Sequence, residues 1–330
     1  MPLTTYRHRP VLSEEVLEAL APALGPDRVA VDCTVGGAGH TRGLLSTGAK
    51  VLGMDRDESA LAAAREIVGE ERLELVHCDF RFLEKVVRDR GLRLVHAVLA
   101  DLGASSPQLD DPTRGFSFGR QGPLDMRMDR SEGKPLYALL DTVDEKELAD
   151  VIRSYGEERR AKRIAKAILD ARKRGELDDT VVLAGVISRI VGRQSGERDR
   201  TIHPATRTFQ ALRIWVNDEL GSLESLLDAL PRVLAIGGRA AIISFHSLED
   251  RRVKQAFARL CQGCICPPDL PVCGCNRRPE FVPVKRRAIK ASESEITLNP
   301  RARSARLRVV ERIESRTEPM FDESEGSTHA

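Results

Sequence analysis

One stretch constrains the fold of this chain more than any other. It is Val29-Ala30-Val31-Asp32-Cys33-Thr34-Val35-Gly36-Gly37-Ala38-Gly39-His40, followed by Val51-Leu52-Gly53-Met54-Asp55. A short apolar run ends on an acid, enters a glycine-rich turn, and is succeeded by a second apolar run that also ends on an acid. Glycines strip side chains from a turn so that backbone can approach a ligand. An acid closing the second strand can accept hydrogen bonds from ribose hydroxyls. The layout predicts a nucleotide-type cofactor site at the carboxyl edge of a parallel sheet, and with it an α/β fold.

The same residues discriminate between cofactors. A dinucleotide fingerprint, G-x-G-x-x-G, needs its last glycine three positions after the second. Three after Gly39 stands Arg42, and Gly43 falls one residue late. Asp32, ahead of the glycines, would repel a pyrophosphate but suits a cationic sulfonium ligand. Electrostatics therefore favours S-adenosylmethionine over NAD. An NAD-dependent reductase is the distant alternative, and a plain strand-turn-helix the bland one.

The alternation continues down the chain. Strands are expected at 29–32, 50–55, 73–78 and 95–101, with helices near 41–46, 59–68 and 83–90. Four acids, Asp32, Asp55, Asp79 and Asp101, then fall at four strand ends, where ligand-facing residues of such sheets gather. The pattern breaks after Asp101. Residues 103–135 are rich in Gly, Pro, Ser and Asp and read as long loops, and residues 136 to about 190 carry helical apolar spacing, which reads as an insertion. Another helix follows Pro204, a favourable first-turn position. Strands return at 240–245 and 304–310.

With 330 residues the chain can hold one large core or two domains. Hydrophobic residues make up 41% and charged residues 31%, as in a soluble globular protein. No run approaches the apolar length of a membrane span, and the first residues lack a signal-peptide core. A cytoplasmic location with reduced thiols, and no membrane partner, is expected. The net charge of +2 says little, but cations cluster at 159–174, 277–290 and 301–308. Three such clusters beside a transferase site point to a polyanionic substrate. After Val310 the chain turns acidic and is expected to fray.

The loop Asp101-Leu102-Gly103-Ala104-Ser105-Ser106-Pro107-Gln108 closes the fourth strand. Enzymes that methylate exocyclic amines place a polar, proline-bearing loop here, because an aryl amine is a poor nucleophile with its lone pair delocalised into the ring. Acceptors for its N–H groups raise its electron density and aim it. Ser105, Ser106, Gln108 and loop carbonyls fit that task, with Asp101 contacting the cofactor or taking the released proton. A turn that simply leaves the strand is the alternative.

These segments, together with others in the same order, make the chain resemble the bacterial small-subunit (16S) rRNA cytosine-N4 methyltransferases, the RsmH or MraW family. The others are His8-Arg9-Pro10-Val11-Leu12, Met54-Asp55-Arg56-Asp57, Arg114-Gly115-Phe116-Ser117-Phe118, Pro123-Leu124-Asp125-Met126-Arg127-Met128, Tyr155-Gly156-Glu157-Glu158-Arg159, the run from His203 to Asn217, Ser244-Phe245-His246-Ser247-Leu248-Glu249-Asp250-Arg251, and Asn299-Pro300-Arg301-Ala302-Arg303-Ser304. The resemblance implies a Rossmann-like class I methyltransferase sheet with a helical insertion domain. It also implies S-adenosylmethionine contacts at Ala38, Gly39, His40, Asp55, Phe80, Asp101 and Gln108, a cytidine of the decoding region as target, and an assembled small subunit as substrate. The expected division is a methyltransferase domain in two parts, 1–105 and 206–313, a substrate-recognising loop and helical insertion at 106–205, and a flexible acidic tail at 314–330. Rival readings are a DNA or other RNA amino-methyltransferase, and a non-catalytic ribosome assembly factor.

Several residues carry open expectations. Gln108 stands where related enzymes stack an aromatic on the extruded base, so Phe116 or Phe118 is expected to supply that stacking. Gly115-Phe116-Ser117-Phe118-Gly119 fits the serine-hydrolase G-x-S-x-G pattern, but polar residues precede it, so it reads as a loop. Thr206, Gln210, Arg213 and Asn217 form one polar stripe facing either the cleft or solvent, and His246 is either structural or in contact with RNA. Cys261, Cys264, Cys266, Cys273 and Cys275 crowd into fifteen positions. Their Cys-x-Cys spacing is tighter than usual zinc fingers, so a zinc-free loop with no metal is expected over a zinc site.

Overall fold

The computed structural model describes residues 10–69, 71–192, 203–267, 272, 274–275 and 277–313. His8, Arg9, Cys273 and the expected acidic tail at 314–330 lie outside the described residues. Seven strands form one sheet: β1 (Val29–Asp32), β2 (Lys50–Asp55), β3 (Leu73–His77), β4 (Val95–Asp101), β5 (Leu234–Ser244), β6 (Phe281–Pro283) and β7 (Arg306–Arg312). Their order is β3-β2-β1-β4-β5-β7-β6. The first five are parallel, whereas β7 runs antiparallel to β5 and β6 antiparallel to β7. The order reverses between β1 and β4, the crevice where such sheets bind ligands.

The first four strands lie within one residue of the sequence expectation. Between them run α1 (Ser13–Leu20, ahead of the sheet), α2 (Gly39–Ser46), α3 (Glu58–Val68) and α4 (Leu83–Asp89). β5 begins at Leu234, six residues before the expected start, because its irregular first half, with Gly237 at φ 74°, carries no apolar alternation. β6 was not foreseen; at three residues with a proline it is an edge strand, where a missing N–H is tolerated. β7 extends to Arg312, so Glu311 does not fray but pairs with Arg239 on β5 at 2.8 Å.

Within the expected loops of 103–135 sits α5 (Ser106–Asp110), started by a Ser105/Gln108 capping box. The insertion is helical as expected: α6 (Leu136–Leu140), α7 (Glu145–Gly156), α8 (Ala161–Lys173) and α9 (Thr180–Val191). Then come α10 (Thr206–Asn217), α11 (Glu219–Val233), α12 (Ser247–Leu260) and α13 (Glu293–Leu298). Leu148, Ile152, Ile164, Ile168, Leu183 and Ile187 build a helical core distinct from that under the sheet. Phe209 and Leu212 of α10 join this helical core, although they follow the expected boundary at 205. α11 instead packs Leu223, Leu226 and Leu230 under the sheet. The turn between them is sharp, with Asp218 at φ 45°.

Candidate active site

A cleft of about 280 Å³ opens at the carboxyl ends of β1, β2, β3 and β4. Asp55 ends β2 and turns its carboxylate toward the glycine turn. Gly36 N–H donates to its Oδ2 and Asp57 N–H to its Oδ1, both at 2.8 Å. Each oxygen keeps acceptor capacity for a hydroxyl. Burial pushes the Asp55 pKa up to about 6, against those two backbone donors.

The glycine turn works less uniformly than its sequence suggests. Gly36 adopts φ 48°, and a side chain on Gly37 would meet only open space. Gly39 answers to a different demand: a Cβ there would lie 2.8 Å from the Pro10 ring. Pro10 and Val11 line the cleft, so Gly39 lets the N-terminal segment close over it. Ala38 does not line the cleft; its side chain is fully buried with Val35, Leu61 and Ala64.

His40 and Asp101 face each other across the cleft wall, Nε2 to Oδ2, at 3.6 Å, an ion-pair contact too long for a hydrogen bond. Burial disfavours the charged imidazole, but Asp101 and Asp32 outweigh it and raise the His40 pKa. His40 Nε2 and Asp101 Oδ1 are both buried without a hydrogen-bond partner among the described residues. Orphaned polar atoms cost about 1–3 kcal/mol each, so two of them converging on one cleft mark a place a polar ligand fills. The first turn of α2 adds N–H groups and a positive dipole end.

Two of the four strand-end acids do other work. Asp32 is fully buried and outside the cleft, accepting from Thr34 N–H (3.1 Å) and Thr41 Oγ1 (2.7 Å). Burial raises its pKa. Its influence on a cationic ligand is thus through space rather than by contact. Asp79 lines the cleft but is saturated by Arg56, Arg81 and Ser222, tying β3 to α11. Phe80 lines the cleft beneath the Arg56 guanidinium, 5.8 Å from its ring centre.

The three loop side chains expected to orient the amine are each engaged by the protein itself. Gln108 lines the cleft, yet its Oε1 accepts from Ser105 N–H (3.0 Å) and its Nε2 donates to Asp57 Oδ2 (2.8 Å). Ser105 Oγ caps α5, and Ser106 Oγ is held by Arg301, whose other nitrogen reaches Asp110 at 2.8 Å. All three side chains brace the loop. Asp101 alone among the expected catalytic residues keeps an unsatisfied oxygen. Asp57, the anchor of this brace, also takes Arg114 Nη1 at 2.7 Å. Burial opposes its ionisation, but Ser59, Gln108 and Arg114 hold its pKa below the usual carboxylate value.

Phe116 and Phe118 do not reach the cleft. Phe116 is buried, and Phe118 stacks on His203 (4.5 Å between ring centres) and meets Phe209 edge-on. Phe245, just past β5, lines the cleft, as does Phe80. The former closes the expected strand 240–245, but apolar alternation does not say that it reaches the cleft.

The polar stripe on α10 is mostly a seam. Gln210 donates to Tyr155 O at 3.3 Å, and Asn217 bonds Met126 O and Met128 N–H. Arg213 does reach the cleft, in a two-pronged pair with Glu219 at 2.8 Å. His246 caps α12, its Nδ1 accepting from Glu249 N–H at 3.4 Å. Glu219, His246 and Glu249 each bring one donor atom within 4.8 Å of the others. The Arg213 guanidinium already supplies the positive charge there. Arg56, Glu219, Glu249 and Asn299 are polar cleft residues that sequence spacing did not single out, since they arrive from elements distant in the chain.

A family model described as the MraW methylase family matches residues 5–313. The ribosomal RNA small subunit methyltransferase H of Anaeromyxobacter sp. (strain Fw109-5) is 53% identical over 310 residues, covering 93% of this chain and 98% of that protein. The protein of the same name from Geobacter sp. (strain M21) is 48% identical over 313 residues, with 93% and 99% covered. That of Myxococcus xanthus is 48% identical over 314 residues, with 95% and 100% covered.

Proposed function

This chain belongs to the MraW methylase family, and from that premise we propose that it transfers a methyl group from S-adenosyl-L-methionine to the N4 amine of a cytidine in the decoding region of 16S rRNA. The observation that carries this reading is the cleft itself, where the Asp55 carboxylate and the orphaned His40 Nε2 and Asp101 Oδ1 meet the glycine turn at the sheet's switch point. S-adenosylmethionine supplies an electrophilic methyl carbon on a sulfonium cation. Asp55 would hold the ribose hydroxyls, while α2 and His40 would receive the carboxylate end.

Asp101 Oδ1 is the acceptor for an N4 proton. Drawing on that N–H raises electron density on nitrogen as it attacks, and the proton released after transfer has Asp101 to go to. The 102–106 loop, braced by Gln108 and Arg301, holds the amine in line with the methyl carbon. Such positioning supplies on the order of 7–11 kcal/mol. Phe245 offers a face on which the target base can stack.

Arg277, Arg278, Lys285, Arg286, Arg287 and Lys290 are exposed and form a cationic approach for RNA. The 159–174 group is partly spent, since Arg172 pairs with Asp141, Arg174 with Glu176 and Lys166 with Asp170. The substrate is rRNA within the small ribosomal subunit, and the enzyme works in the cytoplasm. No described helix is long and apolar enough to cross a membrane.

The test is modification mapping of 16S rRNA from cells with and without the gene, joined to labelled methyl transfer by the purified chain onto small subunits, naked rRNA and DNA. N4-methylcytidine lost with the gene and restored in vitro on subunits is expected. Unchanged rRNA, or label appearing only in DNA, overturns the reading.

A further inference from the structure

The cysteine-rich segment between α12 and β6 is not used by the methyl-transfer site. Its sequence spacing argued against zinc, but the fold adds a cysteine from across the loop to the pair along it. Cys264 and Cys266 lie on one arm and Cys275 on the other, and one sulfur from each falls within 4.8 Å of the other two. Cys264 and Cys275 Sγ are 3.7 Å apart, well beyond the roughly 2.05 Å of a disulfide.

Backbone donors point at these sulfurs. Ile265 N–H donates to Cys275 Sγ (3.5 Å) and Cys266 N–H to Cys264 Sγ (3.4 Å). Amide N–H groups aimed at cysteine sulfurs in this way orient them toward a common point. The Cys275 thiol donates to Cys264 Sγ at 3.7 Å, a separation that sulfurs sharing one tetrahedral metal also take.

Among the described residues from 262 to 280 none joins a hydrophobic cluster, and Ile265 and Val272 are 55% and 75% exposed. Closing a segment of this length costs chain entropy, and its described residues bury little apolar surface in return. Structural metals serve where a core is too small to offset that cost. The arms are nevertheless set face to face: Glu280 N–H donates to Leu260 O at 3.2 Å, and a Cβ on Gly263 would lie 3.2 Å from the Pro279 ring.

We infer that Cys264, Cys266 and Cys275 are thiolate ligands of a structural zinc ion that closes this loop. Soft sulfur donors at this separation select zinc over magnesium or calcium, and a closed site takes four ligands in a tetrahedron. Cys33 and Cys78 belong to the sheet region, and Cys261 packs against the core under α11, so they are not part of the site.

The test is elemental analysis and cobalt exchange on the full chain, purified without chelator under reducing conditions. Expected are one zinc per chain and, after exchange with cobalt(II), sulfur-to-cobalt charge transfer with tetrahedral d–d bands. Zinc affinity should fall at least tenfold in Cys264→Ser and Cys275→Ser and stay unchanged in Cys78→Ser. A chain that takes up no zinc on reconstitution, Cys264→Ser protein with undiminished metal, or a Cys264–Cys275 disulfide found in anaerobically prepared protein overturns the inference. Both variants leave the cleft residues intact, so a failed site is told apart from a failed methyltransferase.

Discussion

Single side chains set the chemistry of the cleft, and Asp55 shows what that costs. Its pKa stands at about 6 rather than near 4. Between those values the folded chain keeps a proton that the unfolded chain releases, so stability falls as pH rises through this window. A ribose diol needs the ionised form as acceptor. Cofactor affinity, measured by calorimetry, should therefore be level above pH 7 and drop about tenfold by pH 5; a flat profile removes Asp55 from the site. Asp101 makes the complementary case. Asp101→Asn keeps the shape but replaces the proton acceptor, and single-turnover transfer at saturating cofactor should slow by about 100-fold or more. Unimpaired turnover would take the proton elsewhere. The sequence marked both residues by their strand-end positions. It marked Asp32 and Asp79 equally, and only their partners reveal that those two are structural.

Elements position these side chains, and α5 with its preceding loop is the decisive one. The Ser105-x-x-Gln108 signal in the sequence forms a capping box that starts α5. Gln108 joins the loop to Asp57 at the start of α3, and Arg114 completes the joint. Gln108→Leu should cost about 1–3 kcal/mol, since Ser105 N–H and Asp57 lose partners. It should also speed hydrogen exchange over residues 103–110 and lower the methylation rate, with cofactor affinity less affected. An unchanged urea midpoint and exchange pattern would show that the latch carries no load. The Phe116 and Phe118 expectation failed at this scale too. Phe118 packs against the helical core and Phe116 lies under the Arg114 guanidinium, placements that loop composition does not encode.

For the whole molecule, the question is how the helical unit is held over the sheet. α10 belongs to the unit by packing and leads directly into α11, which packs under the sheet. Asn217, at the joint, bonds Met126 O (2.8 Å), Met128 N–H (2.7 Å) and Arg213 O (2.9 Å) from a buried position. Its backbone neighbour Arg213 reaches into the cleft. Asn217→Ala leaves Met128 N–H and Met126 C=O buried and unpaired, and should destabilise the chain by about 2–4 kcal/mol in denaturant titration. A loss under about 0.5 kcal/mol would mean that hydrophobic contacts alone fasten the unit.

The sequence by itself determined the parallel strands, the glycine turn, the strand-end acids and the helical character of the insertion. Each of these is local, written in apolar periodicity, turn residues and caps within a few positions. Tertiary structure alone decided which acids line the cleft with oxygens to spare, that Phe245 rather than Phe116 or Phe118 lines it, where α10 belongs, and that Cys264 meets Cys275. Those facts depend on residues far apart in the chain becoming neighbours, and on which polar groups the packing leaves without a partner.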